Sequence, residues 1–166
     1  MISLVRSLHT RQIDTAVVAY GRNGILSAMA YQKDLDGWHA LKKQIEASPA
    51  APNFYFNERE IWFCSIGHNV GYEQDGTGPE FWRPVVIVKK YNRYMFAGIP
   101  LTSKVKPFPF YFGVGNVAGR AAMAIISQIR PISSKRLVNK IETMDKTVFE
   151  ALKKATSEYL FGDLPQ

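Results

Sequence analysis

Residues 85–101 read Val85-Val86-Ile87-Val88-Lys89-Lys90-Tyr91-Asn92-Arg93-Tyr94-Met95-Phe96-Ala97-Gly98-Ile99-Pro100-Leu101. Two runs rich in β-branched and aromatic residues, 85–91 and 94–101, flank the turn formers Asn92-Arg93, which predicts a tight β-hairpin. Outward from it, 61–66 upstream and 122–129 downstream have the same composition and predict two further strands. The run Pro107-Phe108-Pro109-Phe110-Tyr111-Phe112 predicts a short edge strand, because proline is tolerated at strand starts and sheet edges. Several short strands in succession predict a small β-barrel.

Helices flank it. From Lys33 to Ala47, Leu35, Trp38, Leu41 and Ile45 recur at helical spacing, with Asp34 or Asp36 available as cap and Ser48-Pro49-Ala50-Ala51-Pro52 as the stop. From Asp145 to Phe161, the residues Val148, Phe149, Leu152, Ala155, Tyr159 and Leu160 form a second apolar face, capped by Asp145 and ended by Gly162. Residues 1–28 show no sustained period and read as a loose extension; Met29 offers an internal start, which N-terminal sequencing of the native protein tests. The expected class is mainly β with flanking helices (α+β): an extension with one helix over 1–52 and a barrel domain with a C-terminal helix over 53–166.

At 166 residues, 46% hydrophobic and 21% charged, the chain has the composition of one globular domain with appendages. Its formal net charge of +7 favours polyanionic partners, nucleic acid among them. Cys64 is the only cysteine, so a disulfide framework and a multi-cysteine metal site are excluded, and a cytoplasmic location is expected. Trp62-Phe63-Cys64 inside an apolar strand reads as packing rather than chemistry. No stretch is apolar enough to span a membrane, and no signal-peptide pattern opens the chain.

The residues that carry chemistry come in four groups. Val70-Gly71-Tyr72-Glu73-Gln74-Asp75-Gly76 is a glycine-flanked loop holding an acid; Arg83-Pro84 opens an apolar strand; Leu101-Thr102-Ser103-Lys104 ends one with two hydroxyls and a cation; Ile126-Ser127-Gln128-Ile129-Arg130 precedes Arg136-Leu137. In this order the groups resemble the MazF/PemK toxin ribonucleases over about half of the chain. The resemblance implies an SH3-like barrel of about five to seven strands and a homodimer. It also implies cleavage of single-stranded RNA with no metal or cofactor, and inhibition by a cognate antitoxin with an acidic segment. It assigns Arg83, Thr102 and Glu73 to catalysis. Gln128 and Arg130 fall at RNA-contacting positions, and Gln74, Ser103 and Lys104 beside them are expected to bind RNA as well.

Those residue types suit the reaction. Cutting RNA without a metal requires activating a 2′-hydroxyl, stabilising a phosphorane and protonating the leaving 5′-oxygen, which yields 2′,3′-cyclic phosphate and 5′-hydroxyl ends. Arg83 can clamp phosphate oxygens, Thr102 can hold the phosphate in line, and Glu73, if partly desolvated, can act as base. His68 is a further candidate for proton transfer.

Three departures from the family pattern stand out. Thr77-Gly78-Pro79-Glu80-Phe81-Trp82 lengthens the loop before Arg83, and Phe81 and Trp82 are either base-stacking platforms or a cover for the barrel's end. Ser127 and Ser133 stand where the family commonly has acids. Two other readings stay open: a gyrase-inhibiting toxin of the same fold, and a non-enzymatic SH3-like module that binds RNA or protein.

Overall fold

A computed structural model describes residues 32–49 and 54–162. Helix α1 (Leu35–Ala47) is followed by seven strands: β1 (Glu60–Ser65), β2 (Trp82–Lys90), β3 (Met95–Thr102), β4 (Tyr111–Val117), β5 (Arg120–Ile125), β6 (Arg130–Ser133) and β7 (Leu137–Thr143). Helix α2 (Lys146–Phe161) ends the described fold. The expected extension over 1–28 lies outside the described residues. The chain divides between Lys33 and Asp34, and α1 belongs with the strands rather than with the segment before it.

The predicted hairpin is β2–β3. Asn92 closes its turn by accepting, on Oδ1, the N–H groups of Tyr94 (2.7 Å) and Met95 (3.0 Å), so a short polar side chain does the work of a turn backbone. All pairings are antiparallel, in the order β4-β5-β3-β2-β1-β7. One edge of β3 is split: Met95–Gly98 pairs with β6, whereas Leu101 and Thr102 pair with β5. A strand serving two partners along one edge forces the sheet to curl, and the result is a half-barrel with β4 and β7 at its ends.

Curling gives β2 two buried faces. Val86 and Val88 point into a core with Ile61, Ile99, Leu101 and Ile126, covered by Phe149 and Leu152 of α2. Val85 and Ile87 point the other way, into a core with Phe56, Trp62, Cys64, Phe96 and Leu137. This alternation between two buried faces explains why β2 reads as a continuous apolar run.

Three elements differ from expectation. The strand predicted over 122–129 stops at Ile125 and turns through a 3-10 segment (Ile126–Gln128), which Ile129 N–H closes on the carbonyl of Ile126 (3.1 Å). Strand β4, at the sheet edge, spans Tyr111–Val117 and takes in only the last two residues of the Pro-Phe run. In α1 only Trp38 is buried, and Leu35, the first residue of the expected apolar face, is exposed. Helix α2 has the expected caps: Asp145 Oδ1 accepts from Thr147 N–H (2.8 Å) and Val148 N–H (3.1 Å), and Gly162 follows its last residue. Those two backbone donors hold the Asp145 carboxyl below its ordinary pKa.

Candidate active site

The site is built around the loop that joins β1 to β2. Gly67 opens this loop with φ +82°, a left-handed conformation suited to glycine, and Gly76 N–H returns to Gly67 O at 2.7 Å to close it. Inside, Asn69 N–H donates to Asp75 Oδ1 (2.6 Å) and Asn69 Nδ2 donates to Gln74 O (2.8 Å). The loop is therefore cross-tied rather than open, and the side chains that tie it come from both its ends.

Arg83, at the start of β2, lies half-buried beneath the loop. Its Nε donates to the Asp75 carbonyl and its Nη1 to the Leu101 carbonyl at 3.2 Å. One guanidinium thus joins the loop to the end of β3, next to Thr102. Burial pulls Arg83 below the ordinary arginine pKa, while the neighbouring Asp75 carboxylate and Tyr111 act in the opposite sense. The remaining N–H groups of the fork are available to an anion.

Thr102 ends β3 half-buried, its Oγ1 accepting the N–H of Lys104 (3.2 Å). Ser103 and Lys104 follow, exposed. Glu73 sits at the loop tip, exposed, with its N–H on Val70 O (3.1 Å), and so lacks the desolvation that its expected role as base requires in this arrangement. Gln74 and Gln128 meet: Gln74 N–H donates to Gln128 Oε1 (3.2 Å), and Gln128 Nε2 donates to Tyr72 O (3.4 Å). Arg130 reaches the other side of the loop, at Asn69 Oδ1 (3.5 Å) and Ile66 O (3.4 Å). Gln128 and Arg130, expected to contact RNA, are thus engaged in holding the loop. His68 is half-buried, its ring edge-on to Phe81 at 4.8 Å.

Phe81 is not a surface platform. It is 3% exposed, with its ring 5.7 Å from that of Trp38 of α1. The lengthened segment folds as a small turn, in which Thr77 and Trp82 exchange backbone hydrogen bonds (2.8 and 3.0 Å) and Phe81 takes φ +53°. That conformation delivers the ring to the interior. Arg136, beside them, donates to Ser65 O (3.1 Å) and lies over the Trp38 ring at 5.1 Å.

Two features escaped the reading of the residues. Asp75 is the carboxylate beside Arg83, and its signal was an Asn and an Asp bracketing one short loop, a pairing typical of side-chain-closed turns. The chain also has no Asp or Glu from Phe81 to Ile141, while Arg83, Lys104, Lys106, Arg120 and Arg130 all fall there. This basic stretch was diluted in the whole-chain charge. Among the described residues no three of His, Cys, Asp and Glu gather as a metal site, and no helix is long and apolar enough to cross a membrane.

Comparison with known proteins agrees with the fold. The MazF of Deinococcus radiodurans superposes with a TM-score of 0.55 at 18% identity, over 65% of this chain and 98% of that one. The MazE–MazF complex from the same organism gives 0.52 at 14%, over 67% and 100%. An endoribonuclease bound to its cognate antitoxin, from a mycobacterial species, gives 0.50 at 13%, over 67% and 100%. A sequence comparison with curated proteins gives no match. The family profile described as PemK-like, MazF-like toxin of type II toxin-antitoxin system matches residues 57–160, and the chain belongs to that family.

Proposed function

We propose that this toxin is an endoribonuclease that cuts single-stranded RNA by transesterification, leaving 2′,3′-cyclic phosphate and 5′-hydroxyl ends. The observation that carries the reading is Arg83: a half-buried guanidinium held by the carbonyls of Asp75 and Leu101, one residue from the Thr102 hydroxyl. Donors fixed before the substrate arrives stabilise a phosphorane without reorganising as charge develops. The guanidinium keeps its proton and clamps the phosphate oxygens, so the leaving 5′-oxygen takes its proton from His68 or from water.

Thr102 holds the phosphate in line. Glu73 serves as base once RNA covers the loop tip and removes water from its carboxylate. Gln74, Ser103 and Lys104 line the strand's path, with Gln128 and Arg130 shaping that path through the loop they hold and His68 as a further proton carrier. The solved relatives bound to MazE or to a cognate antitoxin, together with the acid-free basic stretch, support an acidic antitoxin as the inhibitory partner, and the working form is a homodimer, as the family resemblance implies.

Incubation of the purified chain with a long single-stranded RNA in excess EDTA, followed by mapping of the new 5′ ends, tests the reading. Discrete 5′-hydroxyl ends are expected from the wild type, and none from Arg83→Ala. RNA left intact by the wild type would refute it.

A further inference from the structure

The connection from Thr102 to β4 carries a second feature. Phe108 and Phe110 are stacked with their planes 1° apart and centroids 5.4 Å apart, and Phe110 in turn packs on Tyr159 of α2 at 6.3 Å. The three rings form a ladder rooted on a helix. Tyr111 flanks it, 5.0 Å from Phe110 and 6.3 Å from Phe108. The outermost ring, Phe108, is 51% exposed.

The ladder is held in place. Tyr111 N–H donates to Phe108 O (3.0 Å), Ile126 N–H to Phe110 O (2.8 Å) and Lys106 N–H to Met123 Sδ (3.3 Å). Pro107 and Pro109 restrict the backbone between them. A cation borders it: Lys106 Nζ lies 5.5 Å from the Tyr111 ring centre, Lys104 is in the same connection, and no carboxylate occurs in sequence from Phe81 to Ile141. Met123, whose sulfur accepts from Lys106 N–H, pairs with Thr102, and Ala124 pairs with both Leu101 and Phe112, so the ladder adjoins the Arg83–Thr102 site.

We propose that Phe108 is a base-stacking platform for single-stranded RNA, receiving the base of a nucleotide next to the phosphate held by Arg83 and Thr102. The proposal rests on the endoribonuclease reading and adds a subsite to it. A flat apolar face bordered by lysines fits a nucleotide, whose base stacks while its phosphate meets the ammonium groups. An acidic peptide would use the lysines but leave the ring without a partner. Because every base offers a π-face, the subsite supplies affinity and register rather than choice of base.

The test compares wild type, Phe108→Ala and Phe108→Trp on one RNA cleaved by the wild type. Phe108→Ala is expected to lower kcat/KM about tenfold, mostly through KM. Phe108→Trp should restore it, and its indole fluorescence should be quenched by a strand made uncleavable with a 2′-deoxy nucleotide at the scissile position. A substrate abasic at the stacked nucleotide should erase the difference between Phe108→Ala and wild type. Wild type that cleaves while Phe108→Ala matches it in KM overturns the platform alone. A defect in Phe108→Ala that persists in full on every singly abasic substrate also overturns it. Wild type that neither binds nor cleaves RNA overturns both the platform and the activity it serves.

Discussion

The indole of Trp38 occupies the space beside Gly67 so closely that a β-carbon on Gly67 would stand 2.0 Å from ring atom Cε2. Gly67 is where the functional loop leaves β1, so a residue of α1 braces the root of that loop. The second fastening of α1 is Lys135, whose Nζ donates to Glu46 O at 2.7 Å and lies 3.5 Å from the Glu46 carboxylate. The family match begins at residue 57, so this brace comes from outside the matched residues.

Trp38→Ala is therefore expected to destabilise the protein by about 3–5 kcal/mol, the usual cost of removing a large buried ring. Amide exchange at Gly76, whose N–H closes the loop, should accelerate more than exchange in β2. A truncation that removes residues 1–52 should likewise lower stability and activity. Higher activity on truncation would mean instead that this segment occludes the site.

Arg83→Lys tests whether the fork matters or only the charge. An ammonium cannot span the Asp75 and Leu101 carbonyls and still present a planar pair of donors to phosphate. A loss of about a hundredfold or more in kcat is expected, with the fold intact by circular dichroism. Lysine activity within a few fold of wild type would show that a point charge suffices.

Glu60 gives the stability a pH dependence. Burial alone would raise its pKa, but Lys140 Nζ (2.8 Å), Trp62 Nε1 (2.9 Å) and Asn57 N–H (3.0 Å) together hold it below the ordinary glutamate value. A carboxyl depressed in the folded state stabilises above its unfolded pKa, and that contribution is lost as pH falls through the folded value. Glu60→Gln should cost about 2 kcal/mol near neutrality. In urea titrations the gap from wild type should shrink below about pH 4.5; a gap independent of pH would refute the assignment.

Cys64 is 0% exposed, and burial drives its thiol up to about 12. It should resist alkylation at pH 8 in the native protein and react once denatured. Modification of the folded chain at the rate of a free thiol would mean that the core opens around β1.

Much of this was legible in the residues because it is local. The β2–β3 hairpin, the α2 caps and the burial of Cys64 depend on contiguous patterns, and the ordered motifs pointed to the family. Strand β7 was not legible, because its Val138, Asn139 and Lys140 are exposed and break any apolar period. Strand β6 is four residues long and exists by pairing with β3 far upstream in the chain. Phe81 looked available to a base because nothing in its neighbourhood reveals φ +53° or the approach of Trp38.

By itself the sequence determined the two helices, strand β1 and the β2–β3 hairpin, and which residue types could perform phosphoryl chemistry, since periodicity and side-chain chemistry are properties of the chain. Only the tertiary structure decided their relations: that Arg83 joins Asp75 to Leu101, that Gln128 and Arg130 hold the loop, and that Phe81 is buried whereas Phe108 is exposed. Each depends on strands distant in sequence curling into one half-barrel, which brings their ends together where no local pattern could show it.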